Sequence, residues 1–247
     1  MRPLFALFAT LLLCTAALAQ GDVAAERAMS ASIVEGTVTV QRGDGSAQPL
    51  AQGMPLHEGD VIQTGADSRL EISMNDGSTL RLGEKAKLEL RVAPPTGKAF
   101  AARLWLGAVW AKVHKLLQDE SFHVETENAV AGVRGTEFLV DAGGGSRDDN
   151  LRVYEGSVVV RDHGSEWTHR LEPGYELSVR RGVRPDGPKP FDPASERQHP
   201  LMRWVRERPV HTPDSPDRSE PRAPKGEHQN REKPARRQRF LERLHGR

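Results

Sequence analysis

The residues of this 247-residue chain that could do chemistry are its histidines, its acidic pairs and a glycine-rich loop. The body of the chain holds His57, His114, His123, His163 and His169. His163 and His169 flank a turn and could approach each other, but no third ligand stands at a metal-binding spacing, so they read as exposed turn histidines. Asp148-Asp149 follow Gly143-Gly144-Gly145-Ser146. Acids in such a loop could hold a weak calcium ion, yet neither loop length nor ligand spacing matches a dedicated site. The same loop lacks the glycine spacing of a nucleophile elbow. The sequence contains no His-Glu-x-x-His, no phosphate-cradling loop ending in Lys-Ser/Thr and no dinucleotide fingerprint. These patterns imply no enzyme, no metal and no cofactor, and point to a binding or structural protein.

Charge supplies a second kind of chemistry. The formal total is +1, but residues 189–247 carry 15 Lys/Arg against 9 Asp/Glu, and residues 20–188 carry 19 against 25. An acidic body thus precedes a basic tail. Arg236, Arg237, Arg239 and Arg243 surround Phe240 near the end and form a candidate polyanion contact. Nucleic acid is not the expected partner, because the first twenty residues look like an export signal. Arg2 precedes an apolar run from Leu4 to Leu13, and Ala17-Leu18-Ala19 precedes Gln20, which places cleavage between Ala19 and Gln20. Cys14 invites a lipoprotein reading, but Leu13 stands where such signals want a small side chain. The mature chain then has no cysteine, and a periplasmic location follows. There the basic end would meet anionic envelope polymers or lipid headgroups.

The elements that must position these residues are strands. Period-two alternation runs from Ile33 to about Val183, as in Leu70, Ile72 and Met74, then Leu80 and Leu82 across Asn75-Asp76-Gly77-Ser78, a hairpin signal. Leu104 to Val113 is a long strand or strand pair, and His114 to Glu120 is the one place in the body that suits a helical turn. The expected fold is all-β, an antiparallel sandwich or a solenoid-like stack, followed by a disordered tail. The boundaries are a signal peptide at 1–19, a leader at 20–32, the β domain at 33–184 and a proline- and arginine-rich tail at 185–247. Within that tail Leu201-Met202-x-Trp204-Val205 and Ala235 to Leu244 could become helical when bound. Removing residues 189–247 is expected to leave unfolding of the body nearly unchanged.

An internal echo runs through the body. Glu35-Gly36-Thr37-Val38-Thr39-Val40 returns as Glu155-Gly156-Ser157-Val158-Val159-Val160, each followed by a Leu-x-x-Gly-x-x-Leu segment (Leu50, Gly53, Leu56; Leu171, Gly174, Leu177). Gly107-Ala108-Val109 is a partial third copy. The echo means either a pseudo-symmetric β architecture or simply the usual look of strand starts.

Gly59, Gly65, Gly132 and Gly135 are expected at tight turns or positive φ. Asp60 and Thr64 are placed to hydrogen-bond turn amides. Arg134 is expected to bridge carbonyls inside the β stack, with ligand contact as the alternative. Gly135→Val is expected to destabilise the fold.

The order Gly59-Asp60, Thr64-Gly65, Leu106-Gly107-Ala108-Val109, Val133-Arg134-Gly135-Thr136-x-Phe138 and Glu155-Gly156-x-Val158 resembles the FecR domain family over about residues 33–180. The resemblance implies an all-β periplasmic domain of a sensory or interaction kind, without enzymatic activity. Regulators of that family relay receptor occupancy across the inner membrane to a sigma factor. This chain, opening on a signal peptide, looks like a stand-alone exported variety. Its implied partner is an envelope protein or cell-wall polysaccharide, or else a separate membrane protein through which it takes part in cell-surface signalling.

Overall fold

The structure is a computed structural model that describes residues 28–93, 99–114, 121–145, 147–164, 166–208 and 210. The signal peptide with its Ala19/Gln20 cleavage site, the suggested helical turn at 115–120 and the tail from 211 onward, with Arg236, Arg237, Arg239 and Arg243, lie outside the described residues.

The expectation of an all-β fold holds. Among the described residues seventeen strands follow one another as β1 (Met29–Glu35), β2 (Val38–Gln41), β3 (Ala47–Pro49), β4 (Pro55–Leu56), β5 (Val61–Thr64), β6 (Arg69–Met74), β7 (Thr79–Leu82), β8 (Lys87–Ala93), β9 (Ala99–Lys112), β10 (Ser121–Glu125), β11 (Val130–Val133), β12 (Glu137–Ala142), β13 (Asp149–Glu155), β14 (Val158–Arg161), β15 (Thr168–Leu171), β16 (Tyr175–Val179) and β17 (Lys189–Pro190). Two short helices close the described chain, α1 (Pro193–Gln198) and α2 (Pro200–Glu207).

Hydrogen bonding joins the strands into one open mixed network with two layers. Layer A runs β4-β1-β6-β7-β9-β12-β13-β16-β17. Layer B runs β3-β2-β5-β8-β9-β10-β11-β14-β15. Long β9 belongs to both, with residues up to Leu106 in layer B and Gly107 onward in layer A. Only its pairing with β10 is parallel among the described strands. The inward residues of both layers, from Ala31, Leu70 and Phe138 on one side to Ile62, Phe100 and Val160 on the other, form a single buried core. Two layers over one core is the sandwich alternative, folded from a continuous sheet rather than stacked as a solenoid.

The echo is architectural. β1 and β2 meet at Gly36 as β13 and β14 meet at Gly156, both with φ +76°. β1 pairs with β4 and β6 as β13 pairs with β16 and β12, and β2 pairs with β3 and β5 as β14 pairs with β15 and β11. Leu50, Leu56, Leu171 and Leu177 are all buried. The partial third copy is different. Gly107 (φ +86°) sits inside β9 where the strand changes layers, and a Cβ there would lie 2.6 Å from the Ala86 Cα.

Two boundaries move. The strands begin at Met29 rather than Ile33, because Met29 and Ala31 are buried against the core. At the other end, folded structure continues past residue 184 to Arg208. Asp192 caps α1, its carboxylate accepting from the Ala194 and Ser195 amides. Leu201, Met202 and Trp204 of α2 are buried with Ala108, Trp110 and Leu139 on the outer face of layer A. The apolar side of α2 therefore finds its partner within the chain. Burying that side offsets the entropy that proline-rich composition alone would leave uncompensated.

Candidate functional site

The family-motif residues form the corners where the chain passes between layers. Asp60 is buried; its carboxylate accepts from the His57 amide at 2.8 Å and pairs with Arg42. The Thr64 hydroxyl donates to the Gly83 carbonyl at 2.7 Å and accepts from the Ala86 amide at 2.8 Å. Both residues thus bind turn backbone, as expected from their types. Gly59 (φ +81°) and Gly135 (φ +67°) occupy left-handed turns. Gly65 and Gly132 do not: the Gly65 amide donates to the Thr37 carbonyl, and Gly132 lies within β11.

The second corner is Val133-Arg134-Gly135-Thr136. Val133, Thr136 and Phe138 are buried, and the Thr136 hydroxyl donates to the Ser157 carbonyl at 3.2 Å. Gly156 packs onto this corner so closely that a Cβ would lie 2.5 Å from the Gly135 carbonyl oxygen, while Glu155 beside it is exposed. The first corner mirrors it, with the Ser68 hydroxyl accepting from the Thr37 amide beneath Gly36. These residues hold the fold.

Arg134 departs from expectation. It is exposed and lines an open groove of about 490 Å³ on the outer face of layer B, not the interior of the stack. The reason is register: its flanking Val133 and Thr136 point into the core, which leaves Arg134 outside. Around it stand Ser121 and His123 of β10, Gly132 of β11, Ser157, Val159 and Arg161 at β14, and Arg170 of β15. Strand pairing sets His123, Gly132, Val159 and Arg170 opposite one another in a single rank across four strands. The missing side chain of Gly132 makes the trough of that rank. Arg170 donates to Ser157 Oγ and to Glu172 Oε1, each at 2.8 Å. Burial, with the Arg161 charge adding to it and Glu125 opposing, holds the His123 imidazole below its ordinary pKa.

The other candidates disperse. His163 Nε2 contacts the Thr126 carbonyl at 2.9 Å and the His169 ring packs 5.7 Å from Trp167. Asp148 pairs with Arg180, which holds its carboxyl below the usual range, whereas burial raises the Asp149 carboxyl although the Gly143 amide donates to it. No group of three or more His, Cys, Asp or Glu among the described residues could hold a metal ion, and no helix among them is long and apolar enough to cross a membrane.

Sequence reasoning missed a polar cluster on the other face. Arg81 of β7 is 1% exposed, pairs with Glu71 of β6 at 2.6 Å and donates to the Val205 carbonyl of α2. Its guanidinium lies 4.9 Å from the Trp204 ring and 5.5 Å from that of Trp110. Nearby, Tyr154 donates to Glu196 of α1 at 2.8 Å; burial foremost, then the Glu196 charge, pushes the phenol pKa upward. The signal was present in Ala108-Val109-Trp110-Ala111 and Phe138-Leu139-Val140, apolar runs without alternation that require cover on both faces.

Comparison with known proteins agrees with the motif order. A family model described as FecR protein matches residues 60–159, which run from the start of β5 into β14. The folded unit extends beyond that match on both sides. Two crystal structures of a protein from Parabacteroides distasonis, described as a "putative anti-sigma factor", are similar at 20% identity with a TM-score of 0.46. Each alignment covers 53% of this chain, which spans 60% of the length of those structures. No curated protein matches.

Proposed function

We propose, from the match of residues 60–159 to the FecR protein family model, that the protein is a non-catalytic binding or sensory module of the periplasm. It is exported through the signal at 1–19 and engages an envelope protein. The single observation that supports this reading is the contrast between the outer faces. Layer A is closed by α1 and α2, whereas layer B presents a groove whose lining of arginine, serine and a half-buried imidazole offers recognition but no paired acid and base for catalysis.

The test is in-cell crosslinking of the tagged full-length protein, followed by fractionation and N-terminal sequencing of the recovered chain. The expected result is a mature chain beginning at Gln20, in the periplasmic fraction, joined to a discrete envelope protein. Recovery from the cytoplasm with residues 1–19 retained would overturn the location. Capture of cell-wall polysaccharide alone would overturn the protein partner.

A further inference from the structure

The pseudo-symmetry of the layers supplies a control for the groove. In the first half of layer B the rank equivalent to His123, Gly132, Val159 and Arg170 is Lys87, Gln63, Thr39 and Pro49. The next rank is Glu89, Val61, Gln41 and Ala47 in the first half, against Glu125, Val130, Arg161 and Thr168 in the second. Equivalent strands therefore carry a glutamine where the second half has the trough-forming Gly132. They carry proline and glutamine where it has Arg170 and Arg161. The residues that shape this groove are thus particular to the second half of the layer.

Its chemistry selects an occupant. Among the described residues Arg134, Arg161, Arg170 and His123 line it, and the lining includes no carboxylate, although Arg170 is paired with Glu172 beside it. Arginine forks match carboxylates bidentately. Val159, 40% exposed, gives the floor an apolar contact. Among the described residues the lining holds no tryptophan, tyrosine, asparagine or glutamine, the side chains that supply the stacking platform and the planar acceptors for sugar hydroxyls. Four strands at about 4.8 Å spacing make a rank about 14 Å long, the reach of about four extended residues.

We propose that this groove docks an extended acidic peptide segment of the protein partner, with carboxylates on the arginines and an apolar side chain seated over Gly132 against Val159. The inference rests on the binding-module reading and names its site.

The test uses the full-length mature protein and a fluorescent, end-blocked hexapeptide of alternating Glu and Val, with trigalacturonic acid and the matching Lys/Val peptide as comparison probes. The Glu/Val peptide is expected to bind with an affinity that falls as salt rises. Gly132→Gln, which writes the first-half residue into the second half, and Arg170→Glu should each weaken binding by about tenfold or more. Arg181→Glu, an exposed arginine outside the groove, should change it less than about twofold. A Cβ on Gly132 would lie 3.3 Å from His123 Cδ2, so thermal unfolding is followed in parallel. Arg170, with its side chain 66% exposed, gives a variant free of that concern. Equal loss with Arg181→Glu, unchanged binding in both groove variants, or tighter binding of trigalacturonic acid would each overturn the assignment. If the crosslinked envelope partner is still captured by Arg170→Glu, the groove fails and the binding-module reading stands. If the peptide binds as expected but no partner is captured, that reading fails on its own.

Discussion

Strand β9 carries one tryptophan to each outer face of the molecule, and their fates are opposite. Trp105, in the layer B half, is partly exposed, with the Arg103 guanidinium 4.0 Å from its ring and the Lys87 ammonium 5.9 Å away. Trp110, in the layer A half, is 2% exposed beneath α2 and donates its indole N–H to Glu137. The same division separates whole strands. β7 is buried at every position, while β14 alternates buried and exposed. Strand-forming sequence is alike on both faces. What differs is whether a later stretch of chain returns to cover them, and that decides whether an outward residue serves stability or recognition.

The strongest way to break this contrast is to uncover layer A. Trp204→Ala should cost about 3–5 kcal/mol, because it empties a packed site over Trp110 and Arg81. Truncation after residue 188 should lower the midpoint of thermal unfolding further and raise binding of an apolar dye. A sequence-only reading expects that truncation to be nearly silent; the burial of Leu201, Met202 and Trp204 reverses the expectation. An unchanged midpoint for both variants would mean that layer A is as open as layer B.

Arginine gives the next contrast. Arg81→Met leaves the buried carboxylate of Glu71 with Ser32 Oγ as its one side-chain donor among the described residues and should cost about 3 kcal/mol. Arg161→Met, at an exposed position of β14, should cost at most about 1 kcal/mol. Chemical denaturation of the two variants checks the difference, and equal costs would contradict it. Trp105→Ala should be smaller than Trp110→Ala on the same strand, at most about 1 kcal/mol, since solvent already reaches its ring.

Much of the closed core was readable from residue order. Leu70, Ile72 and Met74, then Leu80 and Leu82 across Asp76-Gly77, form the β6–β7 hairpin, and Gly77 takes φ +84° in its turn. Val133 to Phe138 forms the second corner because its valine, threonine and phenylalanine alternate into the core around one left-handed glycine. The strap at 193–207 was legible only in part: Leu201-Met202-x-Trp204-Val205 suggests a helix that forms on binding, but not that its partner is layer A of the same chain. Its few apolar residues sit among prolines and charges, and only the facing surface of Trp110 and Leu139 gives them somewhere to go. The groove was hidden for another reason. His123, Gly132, Val159 and Arg170 come from four strands, and no spacing in the sequence reveals the register that ranks them together. Arg134 was singled out by its motif, but its direction depended on which neighbours the core claimed.

The smallest expected effect sharpens the contrast from within the open face. His123 lies half-buried there because Gly132 opposite it has no side chain to lift the ring, whereas its counterpart Lys87 faces Gln63. Burial, then Arg161, lowers the folded-state pKa beneath the ordinary histidine value of about 6.5. Between those two values the unfolded chain binds more protons than the folded one, so stability rises with pH across that window. The contribution is fully present above about 6.5 and is lost as pH falls toward the folded-state value. Thermal unfolding of the wild type and of His123→Gln should therefore differ by a constant amount above about pH 7, and the wild type should lose ground to the variant as pH falls below about 6.5. Glu125 opposes the shift and Arg161 reinforces it, so Arg161→Gln should narrow the change and Glu125→Gln widen it. Parallel curves for all three variants would show that the imidazole is as well solvated as the Lys87 ammonium, and that the outer face of layer B has no recessed point at all.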